Sequence, residues 1–170
     1  MQMNDSQRIP ASRDQVWAAL NDPAVLKQCI PGCQSLEVTA PNEMTATVVF
    51  KVGPVKATFS GKVTLSDLDP PNAYRIFGEG SGGVAGFAKG GAVVRLKSES
   101  PSVTVLNYDV EAQIGGKLAQ LGARLIDSTA KKLASEFFAS FAAAVGSPAE
   151  PSDAADARGK GWLKRITGAA

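Results

Sequence analysis

Apolar and polar residues alternate through the middle of the chain. In "EMTATVVFKV" every second residue from Met44 to Val52 is apolar, and "VKATFSGKVTL" repeats the alternation after a turn at Gly53-Pro54. A period of two is typical of a strand that has one buried and one solvated face, so the two segments predict an antiparallel hairpin. Further strands are predicted in "QSLEVT", "AYRIFGEG", "GFAKGGAVVRLKSE" and "SVTVLNYDVEAQIGG". We therefore expect an antiparallel sheet of about six or seven strands.

The apolar period lengthens to three and four residues towards the C-terminus, as in a helix with one buried face. The positions on this stripe are Leu118, Leu121, Leu125, Thr129, Leu133, Phe137 and Phe141. The pattern predicts a helix from Lys117 to Val145, which Gly146 ends. At ~1.5 Å per residue this helix is roughly 40 Å long, enough to cross the whole sheet.

The N-terminal segment predicts an edge strand and two short helices. Met1 to Ile9 is the candidate edge strand. Ser12 and Gln15 form a capping-box pattern, which predicts a helix from Arg13 to Asn21. Asp22 and Pro23 suit the cap and first position of a second helix, which the Pro31-Gly32 turn ends.

The composition divides the chain into a domain and a tail. We expect one domain over residues 1–146, a polar, proline-containing linker over 147–159 and a short basic tail over 160–170. In the tail, Trp162, Leu163 and Ile166 fall on one side of a short helix and Lys164 and Arg165 are cationic. This is the composition of a membrane-interface segment, and equally of a frayed chain end.

Charge and residue content remove several function classes. With 18 Lys and Arg against 16 Asp and Glu, the net charge of +2 is too small to grip a nucleic-acid backbone. The chain has no histidine, which excludes His-dependent catalysis and His-ligated zinc. Cys29 and Cys33 cannot complete a four-Cys metal site, so we expect no metal. A thiol pair that senses redox state stays as an alternative to two small packing residues. Neither a signal peptide nor an apolar run of ~18 residues is visible, so a cytoplasmic protein is expected.

The segment "GEGSGGVAGFAKG" contains a dinucleotide-binding fingerprint at Gly78, Gly80 and Gly83. That site needs a helix directly after the glycines, but Gly90-Gly91 and Val93-Val94 would disrupt a helix there. We therefore interpret the match as accidental. The glycines indicate either a flexible hairpin and bend or a mobile lip of a cavity between sheet and helix.

The predicted order of strand, two short helices, curved antiparallel sheet and long C-terminal helix resembles the α+β helix-grip fold of the START and polyketide-cyclase superfamily. Within that superfamily, "LNDPAVLKQCIPGCQSLE", "GFAKGGAVVRL" and "GGKLAQLGARLIDSTAKKLASEFF" are similar to the CoxG family, the G subunits of carbon monoxide dehydrogenases. The resemblance covers roughly Met1 to Val145, and its "IPGC" and "RLIDSTAKKLA" motifs are specific.

The resemblance implies an accessory protein without catalytic residues. Family members accompany molybdenum-hydroxylase-type dehydrogenases, recruit the enzyme to the inner face of the cell membrane and carry electrons onward through a quinone. No covalently bound cofactor is implied, and the expected partners are a molybdenum-containing dehydrogenase complex, a hydrophobic small molecule and the membrane. Trp162, Leu163, Lys164, Arg165 and Ile166 are the expected membrane contacts.

A ligand cavity is expected between the sheet and the long helix. Small residues beside large ones favour it: Ala57, Gly61, Gly86, Ala88 and Ala112. Each expected lining position also suits plain core packing. These positions are Phe50, Phe59, Tyr74, Gly86, Phe87, Val94, Leu106, Tyr108, Leu125, Thr129, Leu133 and Phe137.

Two alternatives remain: a general lipid-binding protein, and a small enzyme of cyclase or hydratase type. The titratable candidates for the enzyme are Asp109, Glu111, Asp127 and Glu136, which equally suit solvated or ion-paired positions.

Overall fold

Residues 1–146, described by a computed structural model, form a seven-stranded antiparallel sheet and three helices. The strands are β1 (Gln2–Ile9), β2 (Cys33–Ala40), β3 (Glu43–Val52), β4 (Val55–Asp69), β5 (Ala73–Ser81), β6 (Phe87–Ser100) and β7 (Val103–Gly115), and the helices are α1 (Arg13–Leu20), α2 (Pro23–Cys29) and α3 (Ala123–Gly146). The spatial strand order is β1-β7-β6-β5-β4-β3-β2. The predicted helix-grip architecture is confirmed, and the predicted tail contacts from Trp162 to Ile166 lie outside the described residues.

The two short helices begin where the capping patterns predict. The Ser12 side chain accepts a hydrogen bond from the Gln15 backbone N–H at 3.2 Å, and the Gln15 side chain accepts one from the Ser12 N–H at 3.0 Å. Asp22 caps α2 by accepting from the Ala24 N–H at 3.0 Å, with Pro23 at the first helical position. Each cap satisfies backbone donors that a helix leaves unpaired in its first turn.

The long helix begins at Ala123, six residues later than Lys117, where the sequence pattern starts it. Gly116 and Gly122 have φ of +74° and +96°, a conformation that a helix cannot contain. Between them Leu118 is buried, and its N–H donates to the Ala85 carbonyl oxygen at 2.9 Å. This tertiary contact and a short 3-10 turn (Ala119–Leu121) hold the segment against the end of the sheet.

The buried side chains form two hydrophobic clusters at opposite ends of the concave sheet face. The first cluster joins α1, α2 and the C-terminal end of α3 to β1, β6 and β7; its most buried members include Ile9, Val16, Leu106 and Phe141. The second cluster contains Val52, Ala57, Phe59, Ala85 and Leu118. Leu125, in the first turn of α3, packs against the second cluster. The helix therefore spans the distance between the two clusters.

Candidate functional site

A cavity of about 460 Å³ lies between the two clusters, where the middle of α3 passes over the sheet. Leu133 of α3 lines it, and Ile30 and Pro31 line it after the end of α2. The remaining lining residues come from β3, β4, β5, β6 and β7. The cavity is open to solvent rather than enclosed. Its volume falls within the ~300–1,000 Å³ range of small-molecule sites.

Inward-facing glycines and alanines form the floor of the cavity, here called the glycine floor. Gly61 of β4 pairs with Gly80 of β5, and Gly78 of β5 pairs with Gly90 of β6. Ala46, Ala88, Ala92 and Ala112 flank them on the same face. Large side chains at these positions would fill the volume, so the missing side chains create the space. A short 3-10 turn and strand β6 follow Gly78 and Gly80, in place of the α-helix that a dinucleotide site requires, and these two glycines line the cavity instead.

The four glycines of the floor differ in what a side chain would meet. A Cβ on Gly61 would lie 2.5 Å from the Glu79 carbonyl oxygen, and one on Gly90 would lie 2.1 Å from that of Glu111. Close strand approach therefore requires glycine at both places. A Cβ on Gly78 would meet nothing closer than 3.8 Å, and one on Gly80 nothing closer than 3.4 Å. At these two positions the backbone does not require glycine. The missing side chains there leave open volume in the cavity.

The surface of the cavity is almost wholly apolar. Phe50 and Phe59 stack at the second cluster, with ring centroids 5.0 Å apart and an interplanar angle of 30°. Four charged residues border the cavity at alternating, solvent-exposed strand positions, so their backbones rather than their charges line it: Lys62, Glu79, Lys89 and Glu111. Such a surface offers water few partners and suits an apolar ligand.

Three of the twelve expected cavity residues line this cavity: Phe50, Phe59 and Leu133. Five others belong to or pack against the first cluster, where α1 and the end of α3 cover the sheet: Tyr74, Val94, Leu106, Tyr108 and Phe137. Leu125 packs against the second cluster, and Thr129 is half-buried on α3. The sequence shows which face each residue occupies, but not which part of the sheet the helices cover.

The last two expected cavity residues, Gly86 and Phe87, lie where β5 connects to β6. The connection is short, since β5 ends at Ser81 and β6 begins at Phe87, within one residue of the strand ends that "AYRIFGEG" and "GFAKGGAVVRLKSE" predict. Gly86 has φ of +117°, and a Cβ there would lie 2.0 Å from the Gly115 carbonyl oxygen. Phe87 is 47% exposed, and its ring lies against Gly115.

The candidate catalytic carboxylates do not converge on the cavity. Asp109 accepts a hydrogen bond from Arg95 at 3.2 Å, and Glu111 accepts one from Gln2 at 2.9 Å, both at exposed positions. Asp127 and Glu136 are exposed on α3. Among residues 1–146, no cluster of three or more potential metal-ligating side chains occurs. Within the same residues, no helix is both long and apolar enough to cross a membrane.

A family model for the G subunit of carbon monoxide dehydrogenase (CoxG) matches residues 6–146. A conserved protein from Geobacillus kaustophilus is 31% identical, with a TM-score of 0.81 over 85% of this chain and 95% of that chain. A START superfamily protein from Mycobacterium smegmatis superposes with a TM-score of 0.65 at 13% identity, over 85% of this chain and 96% of that one. The Zhui aromatase/cyclase from Streptomyces sp. R1128 superposes with a TM-score of 0.61 at 13% identity, over 85% of this chain and 93% of that one. Because both of these proteins are only 13% identical to this chain, they show that the fold is shared and nothing further. No curated protein sequence matches the chain.

Proposed function

Because the chain belongs to the carbon monoxide dehydrogenase CoxG family, we propose that it is a non-catalytic accessory protein that carries a hydrophobic ligand in its cavity. The ligand we propose is a quinone, held without a covalent bond. The partner is a molybdenum-containing dehydrogenase of the carbon monoxide dehydrogenase type. In this role the protein recruits the enzyme to the inner face of the cell membrane and carries electrons from it through the quinone.

One observation carries the ligand proposal: the apolar cavity of about 460 Å³ over the glycine floor. Apolar surface that stays in contact with water costs free energy, at roughly 25 cal/mol per Å², and a bound apolar ligand removes this cost. The Phe50–Phe59 stack offers a ring face to a flat aromatic or quinonoid ring. Gly78 and Gly80 leave room for a ring to lie close to the sheet backbone.

A cyclase or hydratase activity has less support from the geometry. An acid–base mechanism needs a titratable group within hydrogen-bond reach of the substrate. The four candidate carboxylates point to solvent or to partners outside the cavity. Turnover of a small substrate by the purified protein alone would nevertheless overturn the non-catalytic role. Recovery of a lipid instead of a quinone would favour the general lipid-binding alternative.

The test is a substitution in the glycine floor that places a side chain inside the cavity. Gly78→Val places a side chain where a Cβ meets only ordinary contacts. Ser81→Val, three residues along the same strand at an exposed position, is the matched control. We expect Gly78→Val to weaken binding of a soluble short-chain benzoquinone at least tenfold, while Ser81→Val binds like the wild type. The readout is the quinone-dependent rise in thermal unfolding temperature.

Mass spectrometry of an organic extract identifies the carried molecule. A quinone recovered from the wild type and the Ser81→Val variant, but not from Gly78→Val, supports the proposal. Equal quinone affinity in all three proteins would show that the cavity is not the site.

A further inference from the structure

The connection between β5 and β6 presents apolar side chains directly to solvent. Val84, in the 3-10 turn Gly83–Ala85, is 93% exposed, and Phe87 is 47% exposed. Ala85 between them is buried in the second cluster and fixes the turn. We call the Gly82–Phe87 segment the β5–β6 tip. Burial of Ala85 anchors the tip to the domain, so the exposure of Val84 is not that of a loose chain end.

Four exposed cationic residues surround the base of the tip. Lys51 and Lys56 flank the β3–β4 turn, and Lys117 and Arg124 flank the segment before α3. Contacts of the second cluster bring these segments together. Leu118, next to Lys117, donates its N–H to Ala85 of the tip. Leu125, next to Arg124, lies against Gly53 of the β3–β4 turn.

The cations at this end are arranged unfavourably for an isolated protein. Lys51 and Lys56 stand directly opposite each other across β3 and β4, and like charges in that position destabilise a strand pair. Within residues 1–146 the ion pairs lie elsewhere, between Arg8 and Glu99, Arg75 and Asp67, and Arg95 and Asp109. The basic end is therefore able to accept an anionic surface without first breaking an internal ion pair.

We propose that this end of the domain docks on an anionic lipid surface, with Val84 and Phe87 entering the interface and the four cations facing the headgroups. At the base of this protruding apolar turn the four cations outnumber one exposed acid, Asp127, which lies beside Phe87, and this composition matches that of membrane-interface segments. A stable protein interface buries at least roughly 1,000 Å² of closely fitting surface, whereas this end exposes only two large apolar side chains, Val84 and Phe87. Anionic headgroups also neutralise the Lys51–Lys56 pair.

The location of this end adds to the proposed function. The purpose of docking rests on that function, whereas the vesicle experiment below does not depend on it. The second cluster, which holds the tip, also contains Phe59, and Phe59 lines the cavity. Docking by this end therefore brings one end of the ligand cavity close to the bilayer. A hydrophobic ligand then passes between membrane and cavity without crossing the surrounding water.

The test is co-sedimentation of the full chain with vesicles of phosphatidylcholine containing phosphatidylglycerol. Val84→Asp removes the apolar contact and adds an anion. Val38→Asp, at a 58% exposed position on β2, is its control. A double variant, Lys51→Glu with Lys56→Glu, reverses the charge of the facing pair. Its control is Lys27→Glu with Lys97→Glu, which makes the same change in net charge at exposed positions elsewhere. Val84→Ser is the second variant, should Val84→Asp fail to fold.

We expect Val84→Asp to lower the vesicle partition coefficient about fivefold or more. The Lys51/Lys56 double variant should lower it at least roughly 30-fold, because the loss of two cations at ~1 kcal/mol each already gives this factor and the two new carboxylates add to it. The two controls should change it by no more than about threefold, because salt screens charges that lie more than a Debye length from the surface. Full-length variants at Val84 and at Lys51/Lys56 that partition like their controls would overturn the docking surface. That result would leave quinone binding, measured without vesicles, unaffected.

Discussion

Tyr74 is a titratable side chain in the first cluster. It is 4% exposed, and its ring lies nearly perpendicular to that of Trp17, with the ring centroids 5.3 Å apart. Burial raises the pKa of its phenol strongly, because the phenolate would lose its hydration. Burial also raises the pKa of Tyr108, and the Asp5 carboxylate adds to this effect, while a hydrogen bond with Gln7 opposes it.

These raised pKa values predict alkaline sensitivity. An unfolded tyrosine releases its proton near pH ~10, whereas Tyr74 keeps its proton in the folded protein. The unfolding free energy has its full value below this pH. Above it, the unfolding free energy falls by about 1.4 kcal/mol per pH unit for each such group, because unfolding then releases the proton of the phenol. Tyr74→Phe should flatten the dependence of the unfolding free energy on pH between pH 9 and 11 by about half a proton on average, as measured by urea unfolding. Equal slopes for the variant and the wild type would contradict this.

Single residues also show what a sequence pattern does and does not determine. The residues after the fingerprint at Gly78, Gly80 and Gly83 predict a strand rather than a helix, and strand β6 confirms that prediction. Why Gly78 is glycine could not be read from the sequence, since its role depends on which residues lie across β4 and β6. The period-two alternation of a strand puts Gly78 on the same face as Tyr74, an expected cavity residue. It did not show that no neighbour fills the space above it.

At the scale of elements, α3 is fixed at its two ends and weakly packed in its middle. Phe141, near its C-terminal end, is 0% exposed in the first cluster, and Leu125, at its start, packs against the second. Leu133, between them, is half-buried and lines the cavity. The helix thus forms one wall of the cavity without filling it.

This arrangement predicts unequal effects of truncating side chains along one helical stripe. Phe141→Ala should lower the unfolding free energy by about 3–5 kcal/mol, as is typical of a fully buried aromatic residue. Leu133→Ala should cost less than about 2 kcal/mol, because its side chain adjoins open space rather than close packing. Urea unfolding measures both, with the exposed Glu136→Ala as the control. A cost near ~5 kcal/mol at Leu133 would indicate a solid core in place of the cavity.

The elements themselves were predicted well where periodicity and caps agree. The strands follow their period of two, and α1 and α2 begin at their capping residues. The start of α3 differs from the sequence prediction, because Leu118 and Leu121 continue the helical stripe although they lie before the helix. Their segment is instead held by the bond from Leu118 to Ala85 across 33 residues of sequence, a contact that no local pattern reveals.

At the scale of the whole molecule, the basic end and the C-terminal end of α3 lie on opposite sides of the domain. The β5–β6 tip adjoins the start of α3, whereas Gly146 at its end lies against Pro10. The 24 residues of α3 separate the two by about 36 Å at ~1.5 Å per residue. Residues 147–159 span at most about 45 Å when fully extended, which is enough to return the tail to the tip's side.

If the β5–β6 tip and the tail contact the same bilayer, the linker length matters. Deleting residues 150–157 leaves five linker residues with a reach of about 17 Å, too short for both to engage at once. Vesicle partition of this variant should fall to that of the stronger single site. Replacing the same residues by an equally long Gly/Ser sequence should preserve partition. Undiminished partition after the deletion would show that the two contacts do not act on one surface together.

The glycine floor also has an evolutionary consequence. In a strand, glycine is less stable than alanine by roughly 0.5–1 kcal/mol, and Gly78 and Gly80 have room for a methyl group. A lineage that stopped using the cavity would lose nothing and gain stability by drifting to alanine or valine there. Retaining glycine at both positions therefore requires continued selection for the empty volume. The residues that relatives carry at these two sites should record which of them still transport a ligand, independently of what that ligand is.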